Sequence, residues 1–430
     1  MAQGNAIFEP AWATEDQDRT PYHYAMLRLA EPVLMLAVFL VPYITWRIEP
    51  SYLFTLSDAL FCIAAVLLLA GRGVAICPLG EWWVVWLSGI AALLFGFFMG
   101  SIVNGDALRW IIVAGQYGFA FAVLPSLLLR EHRASLLGFA TALVAGVTAM
   151  ELFGTIVYHV TDGSYEQAKR FSFEFITGTH RLGAFMADAN WNAAMIAMTV
   201  PFVLYLARVG RLNWIFTFGA LGALCSGLLL SGSFSGFTST ALGALIFLLL
   251  DWGKRSAGTL VIIISLASAA LSTGVALPSA FQNRVANALE QGDLNQAGTF
   301  TGRMELIHEA WGMVGETTLV GLGVDQFRVV SVSKAPVHNM YLLVWAEGGI
   351  ISLIGWLLIL FVPLGVAMRR FAFDRSAAAL VVAVFVPFVV FSNASPHMYS
   401  RSWVVPLVLA IGIAITRPGP GKPVVAASME

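Results

Sequence analysis

Apolar runs near 20 residues long recur along this chain from Glu31 to Arg417, separated mostly by short polar joins. At 1.5 Å of rise per residue, about 20 residues carry a helix across a hydrocarbon core about 30 Å thick. Within lipid the backbone must satisfy its own hydrogen bonds, so such runs can only be helices or strands of a closed barrel. No part of the chain alternates polar and apolar residues at period two, which argues against a barrel. The composition agrees, with 58% hydrophobic and 11% charged residues, where soluble domains carry about 25% charged. The expected fold is all-α, a polytopic helical bundle in a membrane. Its 17 prolines and 40 glycines are tolerable there because neighbouring helices satisfy the backbone groups they free.

Spans are expected at 31–46, 52–70, 82–103, 108–129, 134–157, 185–207, 212–230, 235–250, 257–276, 338–363, 376–391 and 402–416, about twelve transmembrane helices. The first lies behind the acidic stretch "MAQGNAIFEPAWATEDQDRT", which is unlike a cleaved signal peptide. Of the 24 lysines and arginines, those in the short joins "REHR", "RVGR", "DWGKR" and "RRFAFDR" fall on one side. The positive-inside rule makes that side cytoplasmic, with both termini there. The organisation is then a cytoplasmic segment 1–30, helices over 31–276 with an outer loop near 158–184, a large outer loop 277–337, helices over 338–416, and a cytoplasmic tail 417–430. Formal net charge is -1, which offers nothing to nucleic acid. Cys62, Cys77 and Cys225 sit in or beside apolar runs, where packing rather than disulfide or metal chemistry is expected.

The long outer loop is unusual enough to suggest function. Within it "TGRMELIHEAWGMVG" places Met304, Ile307, Ala310, Trp311 and Val314 on one helical stripe, with Thr301 as N-cap. Such a helix could lie on the membrane surface or cover a cavity.

His338 stands where this loop enters an apolar run, followed at once by Asn339. It reads either as a helix-border residue or as an acid/base group, since imidazole changes charge near neutrality. Glu347 is the one deep carboxylate that stands out, about 13 Å further along the helix. It is costly unless paired or facing a polar cavity, and at nine residues' remove it does not share a face with His338. Arg181, Arg284, Arg303 and Arg328 all lie in outer loops. Their planar forks match phosphate oxygens, although snorkelling at the interface would also account for any one of them. Asp188, Asn190 and Asn192 form a polar cluster opening a span, with helix capping by Asp188 as the simpler reading. His397 and Arg401 lie between the last two spans, as cavity lining or as interface anchors.

Three motifs in order resemble the O-antigen ligase and Wzy-type polysaccharide polymerase superfamily of bacterial inner membranes. They are "RLGAFMADANWNAAMIAMTVP" (181–201), "TGRMELIHEAWGMVGETTLVGLGVDQF" (301–327) and "HNMYLLVWAEGGIISLIG" (338–355). The resemblance implies a GT-C-like bundle with a large periplasmic loop, acting at the periplasmic face without metal or other cofactor. The donor would be an undecaprenyl-diphosphate-linked oligosaccharide. The acceptor would be another glycan, lipid A core or a protein hydroxyl, with membrane lipids and other envelope polysaccharide assembly proteins as further partners. It gives His338 the catalytic position and Arg181, Arg303 and Arg284 the neighbourhood of the diphosphate. Substrate contacts are expected also from Arg328, Asn190, Asn339, Glu347 and Arg401. One departure stands out: the join "GSFSG" carries Phe234 where many relatives have arginine. The rival readings are a secondary transporter, which would need more deep charges and duplicated halves, and a non-catalytic envelope-assembly component, which would not need basic groups gathered on one face.

Overall fold

A computed structural model describes residues 20–49, 54–129, 133–251, 281, 282, 284, 300–316, 318–396 and 398–416. The expected span at 257–276, most of the long loop's first part, His397 and both chain ends lie outside the described residues. The rest is helical apart from loops and one two-stranded ribbon, β1 (Arg47–Glu49) with β2 (Phe54–Thr55). The helices are α1 (Pro21–Phe39), α2 (Leu56–Ala70), α3 (Trp82–Val103), α4 (Ala107–Leu128), α5 (Arg133–Val160), α6 (Ala189–Arg208), α7 (Trp214–Ser231), α8 (Phe234–Leu250), α9 (Phe300–Glu316), α10 (Met340–Phe371), α11 (Arg375–Ser392) and α12 (Arg401–Ile415). Among the described residues α3, α4, α5, α6, α7, α10 and α11 are long and apolar enough to cross a membrane, and α2, α8 and α12 are shorter apolar helices. The chain is an all-α polytopic membrane protein.

The first expected span is displaced. α1 starts at Pro21 and ends at Phe39, because Thr20 and Pro21 form a start signal upstream of the apolar run. The Thr20 N–H donates to the His23 ring at 3.0 Å, and the chain then turns before β1. The cysteines do not pack inside: Cys62, Cys77 and Cys225 are free and exposed, on outward faces of the bundle.

Polar contacts collect at the two ends of the bundle. At one end Arg133 bonds Asp374 at 2.7 Å, Arg208 bonds Asp251 at 2.9 Å, and Arg370 donates to the Thr416 carbonyl at 3.2 Å. At the other end lie the starts of α2, α4, α6, α8, α10 and α12, the finishes of α3, α7 and α11, and α9. All the candidate site residues fall at or near this second end.

α3 and α10 make the closest pairing. Gly89, Gly96 and Gly100 of α3 face Gly348, Ser352 and Gly355 of α10, and a methyl added to Gly89 would lie 2.8 Å from the Gly355 carbonyl. Small residues let two membrane helices touch backbone to backbone, and the Ser352 hydroxyl donates to the Leu93 carbonyl at 2.7 Å. α10 is not continuous. Gly349 takes φ 70°, ψ −174° inside it, a conformation that only glycine adopts at low cost.

Into that break docks the 318–323 segment of the long loop. Leu322 N–H donates to Ala346 O at 2.8 Å, Gly323 N–H to Glu347 O at 2.9 Å, and Ile350 N–H to Thr318 O at 2.9 Å. A side chain at Gly321 would overlap the Glu347 carbonyl. The Gly-Leu-Gly turn and the Glu-Gly-Gly of α10 are thus two halves of one backbone interlock.

α9 packs on the first turns of α10 through Leu306, Ala310 and Val314 against Leu342, Leu343 and Ala346. The expected stripe is rotated: Leu306 is inside and Trp311 is exposed. Thr301 lies within the helix, which begins at Phe300, so it is not the cap. Arg303 sits three residues before Leu306 and so extends the α10-facing stripe.

Candidate functional site

The site forms where the 177–190 loop, the α7–α8 turn, α9 and the start of α10 meet. Arg181 is the most enclosed of its arginines, only 6% exposed. Its Nε donates to the Ser231 carbonyl at 2.7 Å and its Nη2 to Asn190 Oδ1 at 2.8 Å. Leu182 N–H reaches the Leu230 carbonyl at 3.0 Å, so the loop is fastened to the end of α7. Ser233 caps α8, accepting from Gly236 N–H at 3.2 Å, and its hydroxyl donates to the same Asn190 oxygen at 3.0 Å. Arg181 thereby supplies a guanidinium at the join where Phe234 stands.

Asp188 caps α6, its Oδ1 accepting from Asn190 N–H at 2.7 Å and Trp191 N–H at 2.9 Å. It acts electrostatically on Arg181, Arg284, Arg303 and His338. One carboxylate thus faces three guanidiniums. Burial, then repulsion from Arg284 and Arg303, brings Arg181 down to about 10, a value at which it is still charged at neutral pH. Burial first, then Arg303, lowers Arg284 as well, and burial lowers Arg303. The group is cationic and its members repel, an arrangement that an anion stabilises.

His338 is half-buried, and burial followed by the charge of Arg303 lowers its pKa below the ordinary imidazole value, against the opposing pull of Asp188. The shift favours the neutral ring, whose lone pair can accept a proton. The helix-border role falls to its neighbour. Asn339 caps α10, accepting from Tyr341 N–H at 3.0 Å and Leu342 N–H at 3.1 Å, and its amide donates to Asn393 at 3.3 Å. His338 makes no hydrogen bond to any described residue.

Of the residues expected to contact substrate, Arg181, Asn190, Arg284, Arg303 and His338 come together, and the others are placed elsewhere. Asn339 is occupied as a cap. Glu347, 5% exposed, accepts from Phe327 N–H at 3.2 Å and so secures the loop turn docked on α10. Arg328 lies 3.5 Å from Asp325, which also pairs with Arg109. Arg401 forms a two-pronged pair with Asp58, its Nε 2.6 Å from Oδ1. Asp58 in turn accepts from Thr55 N–H at 2.9 Å, so the pair ties α12 to the start of α2. Its geometry is that of a structural bridge between helices.

Residues 218–357 match the family model described as O-antigen ligase. The matched residues run from α7 to the middle of α10 and take in Ser231, Ser233, Arg284, Arg303 and His338. Arg181 and Asp188 precede it, and only the packing of the 177–190 loop on α7 carries them to it. No curated protein matches the chain. The family match agrees with the resemblance drawn from the three motifs, two of which, 301–327 and 338–355, lie within it.

Sequence reading missed Glu151. It lies fully buried in the middle of α5 and accepts from Asn192 Nδ2 at 3.4 Å, while that amide also donates to the Leu182 carbonyl at 3.3 Å. Glu347 is therefore not the only deep carboxylate. The signal was available, since Glu151 is the single charge between Arg133 and His159, and a carboxylate at such a depth needs a partner. The importance of Asp188 was hidden by its ordinary capping role.

Proposed function

We propose that this protein transfers a glycan from undecaprenyl diphosphate to an acceptor hydroxyl at the periplasmic face of the inner membrane, as an O-antigen ligase or polysaccharide polymerase. The observation that carries this is the convergence of Arg181, Arg284 and Arg303 on one carboxylate, Asp188, beside His338, partly within the residues that match the O-antigen ligase family model. Guanidinium forks hold the donor diphosphate and stabilise the charge that grows on it as the glycosidic bond breaks. This supplies, without a metal ion, the electrostatic help that phosphate departure requires.

In the proposed step the acceptor hydroxyl gives its proton to His338 as its oxygen attacks the anomeric carbon. The bond from that carbon to the diphosphate oxygen breaks, and the electron pair leaves with undecaprenyl diphosphate. The imidazolium then returns its proton to water. The reaction energy resides in the lipid-linked donor, so no nucleotide site is needed.

The test is reconstitution of the purified protein in liposomes with an undecaprenyl-diphosphate oligosaccharide. Chain lengthening identifies a polymerase, and transfer to lipid A core or to a polypeptide identifies a ligase. His338→Ala is expected to insert normally and to lower transfer by about 10²–10⁴-fold, and His338→Gln is expected to be as inactive. Parent-level transfer by His338→Ala would refute the base role. Absence of both reactions would refute the whole reading.

A further inference from the structure

Glu151 lies deep in α5, fully buried, and the transfer step does not use it. The outer end of the helix, Val160, is nine residues further on, or about 14 Å along the axis. Glu151 forms no ion pair with any described residue, and its Oε1 has no hydrogen-bonding partner. A carboxyl so placed is costly, and an apolar side chain of similar volume would serve packing at least as well. The surroundings are nonetheless shaped to hold it. α7 presents Gly227 to it, and a methyl there would overlap Glu151 Oε2.

Glu151 Oε2 accepts from Asn192 Nδ2 at 3.4 Å, and the same amide nitrogen donates to the Leu182 carbonyl at 3.3 Å. Two acceptors thus face one amide and fix its nitrogen toward them. Turned over, Asn192 would set its own oxygen against both. Its Oδ1 has no partner, so nothing on that side competes. Leu182 follows Arg181 in the chain. Its N–H is held by the Leu230 carbonyl at 3.0 Å and its carbonyl by Asn192, so the peptide groups on both sides of its Cα are fastened. Arg181 needs such a mooring, because Arg284 and Arg303 repel its charge.

We propose that Glu151 is a positioning residue for the donor site: it orients the Asn192 amide, which fastens Leu182 and so aims the Arg181 guanidinium at the diphosphate. The inference rests on the glycan-transfer reading and adds to it a residue inside the membrane that sets donor affinity without touching the donor. A purely structural role would show itself differently. Leucine has nearly the volume of glutamate and no polar atom to bury, so Glu151→Leu should leave stability at the parent level or above it. Affinity and stability then change independently.

The experiment compares purified variants in nanodiscs by their affinity for undecaprenyl diphosphate and, with no ligand present, by amide hydrogen exchange in 177–187. Glu151→Leu should bind about tenfold more weakly and exchange faster in 177–187, with no fall in unfolding temperature. Glu151→Gln, which keeps an acceptor oxygen, should recover most of the affinity. Asn192→Leu should lose as much affinity as Glu151→Leu, and the double variant should be no weaker than either, because both act through one route. If Glu151→Leu does not fold, Gly227→Ala carries the test, since its methyl displaces the flexible end of the Glu151 side chain. Parent-level affinity or exchange in the folded variants, additive losses in the double variant, or a fall in unfolding temperature that matches the lost affinity would each overturn the inference. A parent protein that does not bind undecaprenyl diphosphate would sink the donor reading and the positioning role with it. Equal binding by the parent and by Glu151→Leu would sink the positioning role alone.

Discussion

Replacing Arg303 by alanine should separate ligand binding from folding. Its guanidinium makes no hydrogen bond or ion pair with any described residue, and Asp188 acts on it only through the field. Removing it leaves no buried partner unsatisfied, and the apolar contacts of Leu306, Ala310 and Val314 on α10 remain. The unfolding temperature of Arg303→Ala should therefore stay within error of the parent. Donor binding should not. A charge-assisted hydrogen bond to phosphate contributes about 1.5–3 kcal/mol, and at about 1.4 kcal/mol per decade its loss weakens binding by about 10- to 150-fold. The pH profile should move as well. Arg303 is one of the charges that hold His338 below its ordinary value, so its removal lets the imidazole pKa rise. Because the base form is the neutral ring, activity should then be lost at a higher pH as the solution is acidified, and the acid limb should shift upward. The assay is transfer per mole of inserted enzyme across pH, with donor affinity measured separately. Lys169→Ala is the control, an exposed lysine paired with Glu166. Unchanged donor affinity in Arg303→Ala, or a loss matched by Lys169→Ala, would refute the diphosphate seat. A fall in unfolding temperature large enough to explain the lost activity would refute the division between binding and folding.

Arg181→Ala should lose both properties, because it leaves the Ser231 carbonyl without this donor and Asn190 with only the Ser233 hydroxyl; unfolding should become easier by about 1–3 kcal/mol, measured as a lower unfolding temperature in detergent. Arg401→Gln should strand the buried Asp58 and destabilise by about 3–5 kcal/mol, with donor affinity in the surviving folded fraction unchanged. Gly321→Ala should break the interlock with α10, because its methyl would overlap the Glu347 backbone; the expected result is low membrane abundance and proteolysis within 318–330. Cysteines at the exposed positions Val332 and Phe373 should react with an impermeant thiol reagent from opposite faces of the membrane, Val332→Cys from the periplasm. Labelling of both from one face would overturn the topology.

The sequence alone was sufficient for the class of fold, because run length against bilayer thickness admits few alternatives. Helix positions followed closely for the same reason: α3 lies where its apolar run lies, and α10 and α11 differ from expectation mainly at their ends. The start of α1 was misplaced because a local start signal at Thr20–Pro21 extends a helix beyond its apolar part. Candidate residues were legible as types, namely arginines in outer loops, a histidine at a helix entrance and a carboxylate too deep to be idle. What they do was not legible, because hydrogen-bonding partners far along the chain decide it. Arg401 and Arg181 look alike in sequence, yet Asp58, 343 residues away, occupies one, while the other comes to stand beside Arg284 and Arg303. Glu347 resembled a substrate ligand until the turn at 321–327 was seen seated on α10. Glu151 is marked only as a lone charge in an apolar run, and its partner Asn192 reaches it only when α5 and α6 pack together. Periodicity and hydropathy are properties of a segment, so the sequence carries them. Pairing between segments depends on which backbones approach each other, and in this protein the small residues joining α3 to α10 and the break at Gly349 decide it only once the bundle has formed.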